Sequence, residues 1–171
     1  MKKQFITTVI ILLFSVFSIG QTLKVNNEKA LVEFNFVSEK TTGTVKGINA
    51  TIVFDAANLS ISDFHGAADV TTLSTNNKTR DNHLQQEEMF NAAKFPTMVF
   101  RSSSIEKMEK GYAMTGHFYI KAIKVEAVIN FTYVDKVFIG KTVIYSNDFD
   151  VFSKKKREDS KVMVKITIPV L

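Results

Sequence analysis

The chain has 171 residues, with 22 lysines and arginines, 17 aspartates and glutamates, and no cysteine. The absence of cysteine excludes a disulfide scaffold, a thiol nucleophile and a thiolate metal site. The net charge of +5 is mild and gives no reason to expect nucleic-acid binding.

The first twenty residues have the layout of a secretory signal peptide. Two lysines precede an apolar stretch from Phe5 to Val16, and Ser18, Ile19 and Gly20 supply a small-residue cleavage site. The apolar run is shorter than the ~20 residues that span a bilayer, which favours a cleaved signal over an uncleaved anchor. We therefore expect a periplasmic or secreted protein consisting of one domain, residues 21–171, with a net charge of +3.

Most of the remaining chain alternates between apolar and polar residues, which predicts half-buried β-strands. The alternation is clearest from Val162 to Val170, where apolar residues occupy one face and lysines part of the other. The same pattern occurs in the segments 32–36, 52–54, 64–70, 98–100, 112–120 and 125–131, and a segment near 141–150 completes about eight strands.

Turn signals separate these strands at Lys110-Gly111, Asp135-Lys136, Gly140 and the polar tip 153–159. Gly47 interrupts a strand-like stretch and predicts a bulge or sharp bend, while Gly116 predicts close packing or strand curvature. Strands at regular spacing indicate a sandwich or a barrel. The longer of these strands contain glycines that can bend them, which favours the barrel.

Residues 79–90, TRDNHLQQEEMF, break the alternation and contain good helix formers. Asn77 or Thr79 is a suitable N-cap, and Pro96 returns the chain to an extended conformation. This segment predicts a short helix across one mouth of the barrel.

The stretch 73–104, LSTNNKTRDNHLQQEEMFNAAKFPTMVFRSSS, resembles the signature region of the YceI-like polyisoprenoid-binding family. The matching positions are Arg-Asp-x-His-Leu at 80–84, Phe90, Lys-Phe-Pro-Thr at 94–97, Phe100 and Ser102. The segments 45–55, 111–120 and 147–151 also resemble family strands. The chain departs from the family at 122–125, which reads AIKV instead of Gly-Val-Thr-Lys, and at Asn147 and Asp150, which stand in place of an arginine and a glycine.

The resemblance implies an all-β fold, an eight-stranded antiparallel lipocalin-like β-barrel with a tunnel for a long-chain isoprenoid lipid. It also implies a periplasmic or secreted location. It favours six inward phenylalanines as the apolar tunnel lining, whereas alternation alone favours ordinary core packing for them: Phe34, Phe36, Phe54, Phe100, Phe118 and Phe131.

Arg80, Asp81 and His83 are the polar candidates at the barrel mouth. One interpretation is that they contact a head group, such as a phosphate or a quinone-type ring. The other, which we favour, is that Arg80 and Asp81 tie the helix to the barrel wall while His83 packs beneath it. The basic run 154–157 is likewise interpreted as a solvated hairpin tip rather than a patch for anionic lipid.

The sequence contains no G-x-S-x-G motif, no glycine-rich phosphate loop and no histidine pair with metal-ligand spacing. We therefore predict a non-enzymatic lipid-binding or carrier protein without metal, whose only cofactor-like group is a bound polyisoprenoid or quinone-type lipid. The alternatives are a surface-acting stress-response or interaction module with a solid core and, less favoured, a hydrolase that uses His83. A homodimer and transient contact with a membrane surface stay open.

Overall fold

Alternating residues form a ten-stranded antiparallel sheet in the computed structural model, which describes residues 21–171. The predicted signal peptide, residues 1–20, lies outside the described residues. The strands are β1 (Thr22–Leu23), β2 (Leu31–Phe36), β3 (Thr41–Val45), β4 (Asn49–Val53), β5 (Asp63–Asp69), β6 (Thr97–Lys107), β7 (Tyr112–Ile120), β8 (Ile123–Val134), β9 (Val137–Tyr145) and β10 (Lys161–Pro169).

The all-β prediction is confirmed, but the predicted count of eight strands is wrong. One extra strand is β1, a two-residue segment that pairs with β4. The other arises because the stretch 41–53 is divided into β3 and β4 by a bend at Gly47, which has φ +61°. A side chain there would be strained, and its Cβ would approach the Cβ of Asp69 to 2.7 Å.

The sheet is curled so that its two ends approach each other. Its strand order is β1-β4-β5-β6-β7-β8-β9-β10-β2-β3. Thr44 of β3 exchanges two backbone hydrogen bonds of 2.8 and 2.9 Å with Ser74, which follows β5, and the N–H of Asp69 donates to the carbonyl of Lys46 at 3.3 Å. These bonds link β3 to the β5 side and give the sheet a barrel-like form.

The single α-helix among residues 21–171, α1, spans Lys78–Leu84 and is shorter than the predicted 79–90. Asn77 caps it by accepting a hydrogen bond of 3.0 Å from the N–H of Arg80. The chain turns back after Leu84, whose carbonyl accepts from the N–H of Phe90, so the remaining predicted residues form turns. No helix among the described residues has the length and apolarity needed to cross a bilayer.

The strand predicted near 141–150 is displaced toward the N-terminus. Gly140, interpreted as a turn signal, lies inside β9 and points inward, and the turn precedes it at Asp135 and Lys136, which both have positive φ. Residues Ser146–Phe149 form a 3₁₀ turn instead of a strand. Gly116 agrees with its prediction of close packing, since a Cβ there would lie 2.5 Å from Cζ of Phe100.

Candidate functional site

The barrel-like sheet is hollow in one half. A cavity of about 310 Å³ lies between the inner faces of the strands, and nearly all of its lining surface is apolar. The inward residues of β2 and β10, such as Phe34, Phe36 and Val164, are only half-buried although they point into the sheet's interior. Rings that face a void keep accessible surface, which distinguishes this half from a filled core.

The void exists because one stretch of the wall carries very small side chains. Ala50 of β4 lies directly opposite Gly66 of β5, and Ala68 is the next inward residue of β5. A Cβ added at Gly66 would meet only the Cβ of Ala50, at 3.7 Å. No large side chain from this wall reaches toward the rings on the other side.

Four phenylalanines close the opposite half, and we call them the floor: Phe54, Phe64, Phe131 and Phe138. Phe54 contacts Phe138 edge-on at 5.4 Å between centroids, and Phe64 lies 5.3 Å from both Phe131 and Phe138. All four are buried. The floor therefore forms an interlocked aromatic layer that ends the cavity.

The six predicted tunnel phenylalanines thus fall into two groups. Phe34, Phe36, Phe100 and Phe118 line the cavity wall, and Phe131 contributes to both the cavity lining and the floor. Phe54 does not line the cavity, because Tyr112 and Tyr133 pack against it at 5.1 and 5.6 Å on the side of the floor away from the void.

The cavity opens at the end of the sheet that carries α1, and we call this end the mouth. The mouth is framed by α1, the turn 37–40 and the loop 150–156, which all contribute residues to the cavity lining or its edge. Its edge includes the polar residues Glu39, Arg80 and His83. An amphipathic ligand would therefore place its apolar chain inward and its polar end here.

Lys154 holds the loop across the mouth. Its ammonium forms an ion pair with Glu39 and lies 4.2 Å from the ring centroid of Phe152 and 5.7 Å from that of Phe36. Asn147 fixes the backbone of the same residue by donating to its carbonyl at 2.8 Å and accepting from its N–H at 2.7 Å. The loop is thereby fastened to the turn 37–40 over two cavity-lining rings.

Arg80 and Asp81 both bind Thr75, a buried residue on the cavity edge. Asp81 accepts hydrogen bonds from the N–H and hydroxyl of Thr75 at 2.8 and 2.5 Å. Arg80 donates from Nε to the Thr75 hydroxyl at 2.8 Å and from Nη2 to its carbonyl at 3.2 Å. These bonds anchor α1 to the chain, while Arg80 also contributes to the cavity lining.

His83 does not pack beneath the helix. It is exposed, contributes to the cavity edge, and has its Nδ1 3.6 Å from Oε1 of Glu88. Within residues 21–171 no three metal-ligating side chains come together.

The basic run 154–157 is divided between bound and free side chains. Arg157 forms two hydrogen bonds to the carboxylate of Asp148, at 2.8 and 2.6 Å, and its guanidinium lies 3.6 Å from the ring centroid of Tyr145. The hydrogen bonds that Arg157 donates to Asp148 raise the pKa of Arg157. Lys155 and Lys156 are exposed and have no carboxylate within ion-pair distance among the described residues.

The sequence analysis did not predict that small residues such as Gly66 leave a void in the sheet. It also did not predict that Lys154 fastens the loop 150–156 to Glu39. The series Phe64, Gly66, Ala68 indicated a strand, and the small side chains that follow Phe64 were the available signal for a void. Lys154 and Glu39 lie 115 positions apart, and no local pattern connects them.

Comparisons with known proteins agree with this architecture. A family model described as YceI-like domain matches residues 23–170. Protein YceI of Salmonella arizonae is 32% identical over 81 residues, which cover 47% of this chain and 42% of that protein. The UPF0312 protein plu2095 of Photorhabdus laumondii is 27% identical over 88 residues, which cover 52% of this chain and 46% of that protein. The chain thus matches less than half the length of these relatives.

Solved structures share the fold at low sequence identity. Burkholderia cenocepacia BcnA has a TM-score of 0.73 and 21% identity, covering 85% of this chain and 98% of that one. A YceI protein of Campylobacter jejuni has a TM-score of 0.64 and 22% identity, covering 97% and 99%. A polyisoprenoid binding domain from Saccharophagus degradans, implicated in plant cell wall breakdown, has a TM-score of 0.57 and 9% identity, covering 85% and 95%.

Proposed function

Because this chain belongs to the YceI-like domain family, we propose that it is a non-enzymatic binding protein that holds the apolar chain of an isoprenoid-type lipid. The observation that carries the proposal is the cavity, which is apolar along its walls, closed by the floor and open at a polar mouth. The printed description of the Saccharophagus degradans domain as polyisoprenoid binding supports the choice of lipid.

Burial of a ligand's apolar groups in the cavity is sufficient for micromolar binding without any ion pair. At ~30 Å³ for a water-sized group, 310 Å³ accommodates about ten methylene-sized groups. Each buried methylene contributes about 0.8 kcal/mol, so ten contribute about 8 kcal/mol, which corresponds to a micromolar dissociation constant. A longer isoprenoid would extend its remaining units through the mouth, between α1 and the loop 150–156.

The cavity also weakens the alternative of a surface-acting module with a solid core, since such a module needs no void behind Gly66. The hydrolase alternative rests on His83 and Glu88, whose contact lies on the exposed side of the mouth. We further propose that residues 1–20 direct export and are removed, so that the lipid is bound outside the cytoplasm.

The experiment is organic extraction of the purified, folded protein followed by mass spectrometry. We expect an apolar chain of isoprenoid type in the extract, and much less of it when Gly66→Leu occupies part of the cavity. An extract without any apolar chain, from protein that also fails to take up an added isoprenoid alcohol, would contradict the proposal.

Two further measurements accompany it. Added lipid should be recovered with unchanged mass, and His83→Ala should leave its recovery unchanged, whereas a hydrolase would convert the lipid and lose this activity in the variant. The intact mass of protein from the exporting host should correspond to residues 21–171 if the signal is cleaved.

A further inference from the structure

The part of the cavity wall that carries small side chains ends abruptly at the floor. From the mouth inward, the residues of β5 that face the cavity are Ala68, Gly66 and Phe64. On the neighbouring strand Ala50 pairs with Gly66, and the next inward pair is Ile52 with Phe64. Within one two-residue step, about 7 Å along the strands, the wall changes from almost no side chain to a large ring.

The ring of Phe64 is held in place from below. Its centroid lies 5.3 Å from those of Phe131 and Phe138 and 6.0 Å from that of Phe54. Phe64 is 7% exposed, and Ile52 beside it is 1% exposed. Because these neighbours are buried and closely packed, the ring of Phe64 cannot move away from the cavity without displacing them.

The end of the barrel opposite the mouth is closed by the two ends of the described chain. Val25 forms an antiparallel bridge with Val170, and the N–H of Asn26 donates to the carbonyl of Pro169 at 2.9 Å. Val170 belongs to the same buried cluster as the floor rings, and Val25 packs against it. These contacts cover the floor on the side away from the cavity.

Phe64 differs from the other two floor rings that line the cavity, Phe131 and Phe138, in the space above it. Toward the mouth, Phe131 is followed by the buried Ile129, and Phe138 is followed by Gly140, whose added Cβ would lie 2.8 Å from Cγ2 of Ile129. The space above those two rings is therefore occupied. Above Phe64 it is open, because a Cβ at the next inward position would meet only an alanine Cβ, at 3.7 Å.

We propose that the floor is a chain-length stop, that Phe64 sets its position, and that the barrel holds about two isoprene units of its ligand. The cavity of 310 Å³ accommodates about ten methylene-sized groups, which matches the carbon content of two isoprene units. A third unit remains at the mouth, in contact with water. The inference rests on the proposed function and adds to it the length of chain that is buried.

The test compares geraniol, farnesol and geranylgeraniol, which have two, three and four isoprene units, in competition against an apolar fluorophore. In the parent chain the third unit stays largely in water and should change the affinity less than about twofold. Phe64→Ala removes the ring and extends the cavity toward the floor. Each additional buried methylene strengthens binding about fourfold, so burial of only two carbons of the third unit should strengthen binding of farnesol more than about tenfold relative to geraniol.

Phe54→Ala is the matched control, because Phe54 belongs to the same layer of rings but does not line the cavity. It should lower the unfolding temperature to a similar extent and leave the affinity ratio of farnesol to geraniol unchanged. Phe64→Leu retains more of the packing and should give a smaller gain, about fourfold, for the third unit. This variant tests the stop even if Phe64→Ala does not fold.

The outcomes separate the stop from lipid binding itself. If the third unit gained no affinity in folded Phe64→Leu or Phe64→Ala, or gained as much in Phe54→Ala, then Phe64 would not be the stop. A parent chain whose affinity rose steadily from geraniol to geranylgeraniol would support the proposed function and overturn the stop. Failure of the parent chain to bind any of the three alcohols would contradict the proposed function, and the stop with it.

Discussion

Replacing Gly66 with leucine should fill part of the cavity without disturbing the fold. Its backbone φ lies outside the left-handed region, and an added Cβ would meet only the Cβ of Ala50 at 3.7 Å. Leucine adds four carbons, which occupy ~120 Å³ at ~30 Å³ each, more than a third of the 310 Å³ available. Displacing about four methylene groups of ligand removes about 3 kcal/mol, so binding of an isoprenoid alcohol should weaken on the order of a hundredfold.

The same substitution should stabilise the ligand-free protein. It buries new apolar surface in a void and removes a glycine from a strand, for a gain of about 2 kcal/mol. In a domain of this size the midpoint of thermal unfolding should rise by about 4–8 °C. Differential scanning calorimetry of delipidated protein measures this change, and competition against an apolar fluorophore measures the affinity.

The matched control is Gly116→Ala, at an inward position of β7 that does not line the cavity. There a Cβ would overlap the carbonyl oxygen of Arg101 and lie 2.5 Å from Cζ of Phe100, so this smaller change should destabilise the fold by about 1–3 kcal/mol. If Gly66→Leu lowered the unfolding temperature as Gly116→Ala does, or left ligand affinity unchanged, the space behind Gly66 would not be the binding cavity.

Three further changes test the mouth and the cavity volume. Lys154→Met removes the ion pair to Glu39 and both ring contacts, worth about 1–2 kcal/mol together, so ligand dissociation in stopped-flow exchange should accelerate about tenfold, while Lys155→Met should leave it unchanged. Asp81→Ala leaves the N–H and hydroxyl of Thr75 without their acceptor and should cost about 1–3 kcal/mol in urea unfolding, whereas Glu87→Ala on the exposed side should cost nothing measurable. In a series of isoprenoid alcohols, affinity should rise steeply to about two isoprene units and then level off, because about ten methylene-sized groups fill the cavity; a constant gain per unit out to eight units would mean that the void is much longer.

The parts of the fold that follow from local pattern were predictable. Val162, Val164 and Ile166 alternate with residues that face outward, such as Lys165. Asn77 caps α1 because its short side chain reaches the N–H of Arg80. In both cases the residues that decide the structure lie within a few positions of one another.

The errors concern residues whose meaning depends on distant partners. Residue type alone does not distinguish a glycine in a turn from a glycine in a strand. Only the pairing of Gly140 with Phe131 and Ile166 places it inside β9. Phe54 and Phe36 have equivalent local patterns, yet Phe54 lies in the floor because Phe138 and Tyr133 surround it. The two-residue alternation along a strand specifies which face a side chain occupies. How deep that side chain lies along the barrel depends on the register of the strand with its neighbouring strands.

Depth along the barrel also explains how one continuous sheet contains both a solid half and a hollow half. On β5 the inward residue is Phe64 at the floor, then Gly66 and Ala68 toward the mouth, and the neighbouring inward pair on β4 is Ile52 followed by Ala50 toward the mouth. The floor rings contribute much of the packing that stabilises the fold, so β4 and β5 can carry small side chains in the layer above them. Binding capacity and stability therefore reside in different layers of the same strands, which is why a substitution at Gly66 can change the first while improving the second.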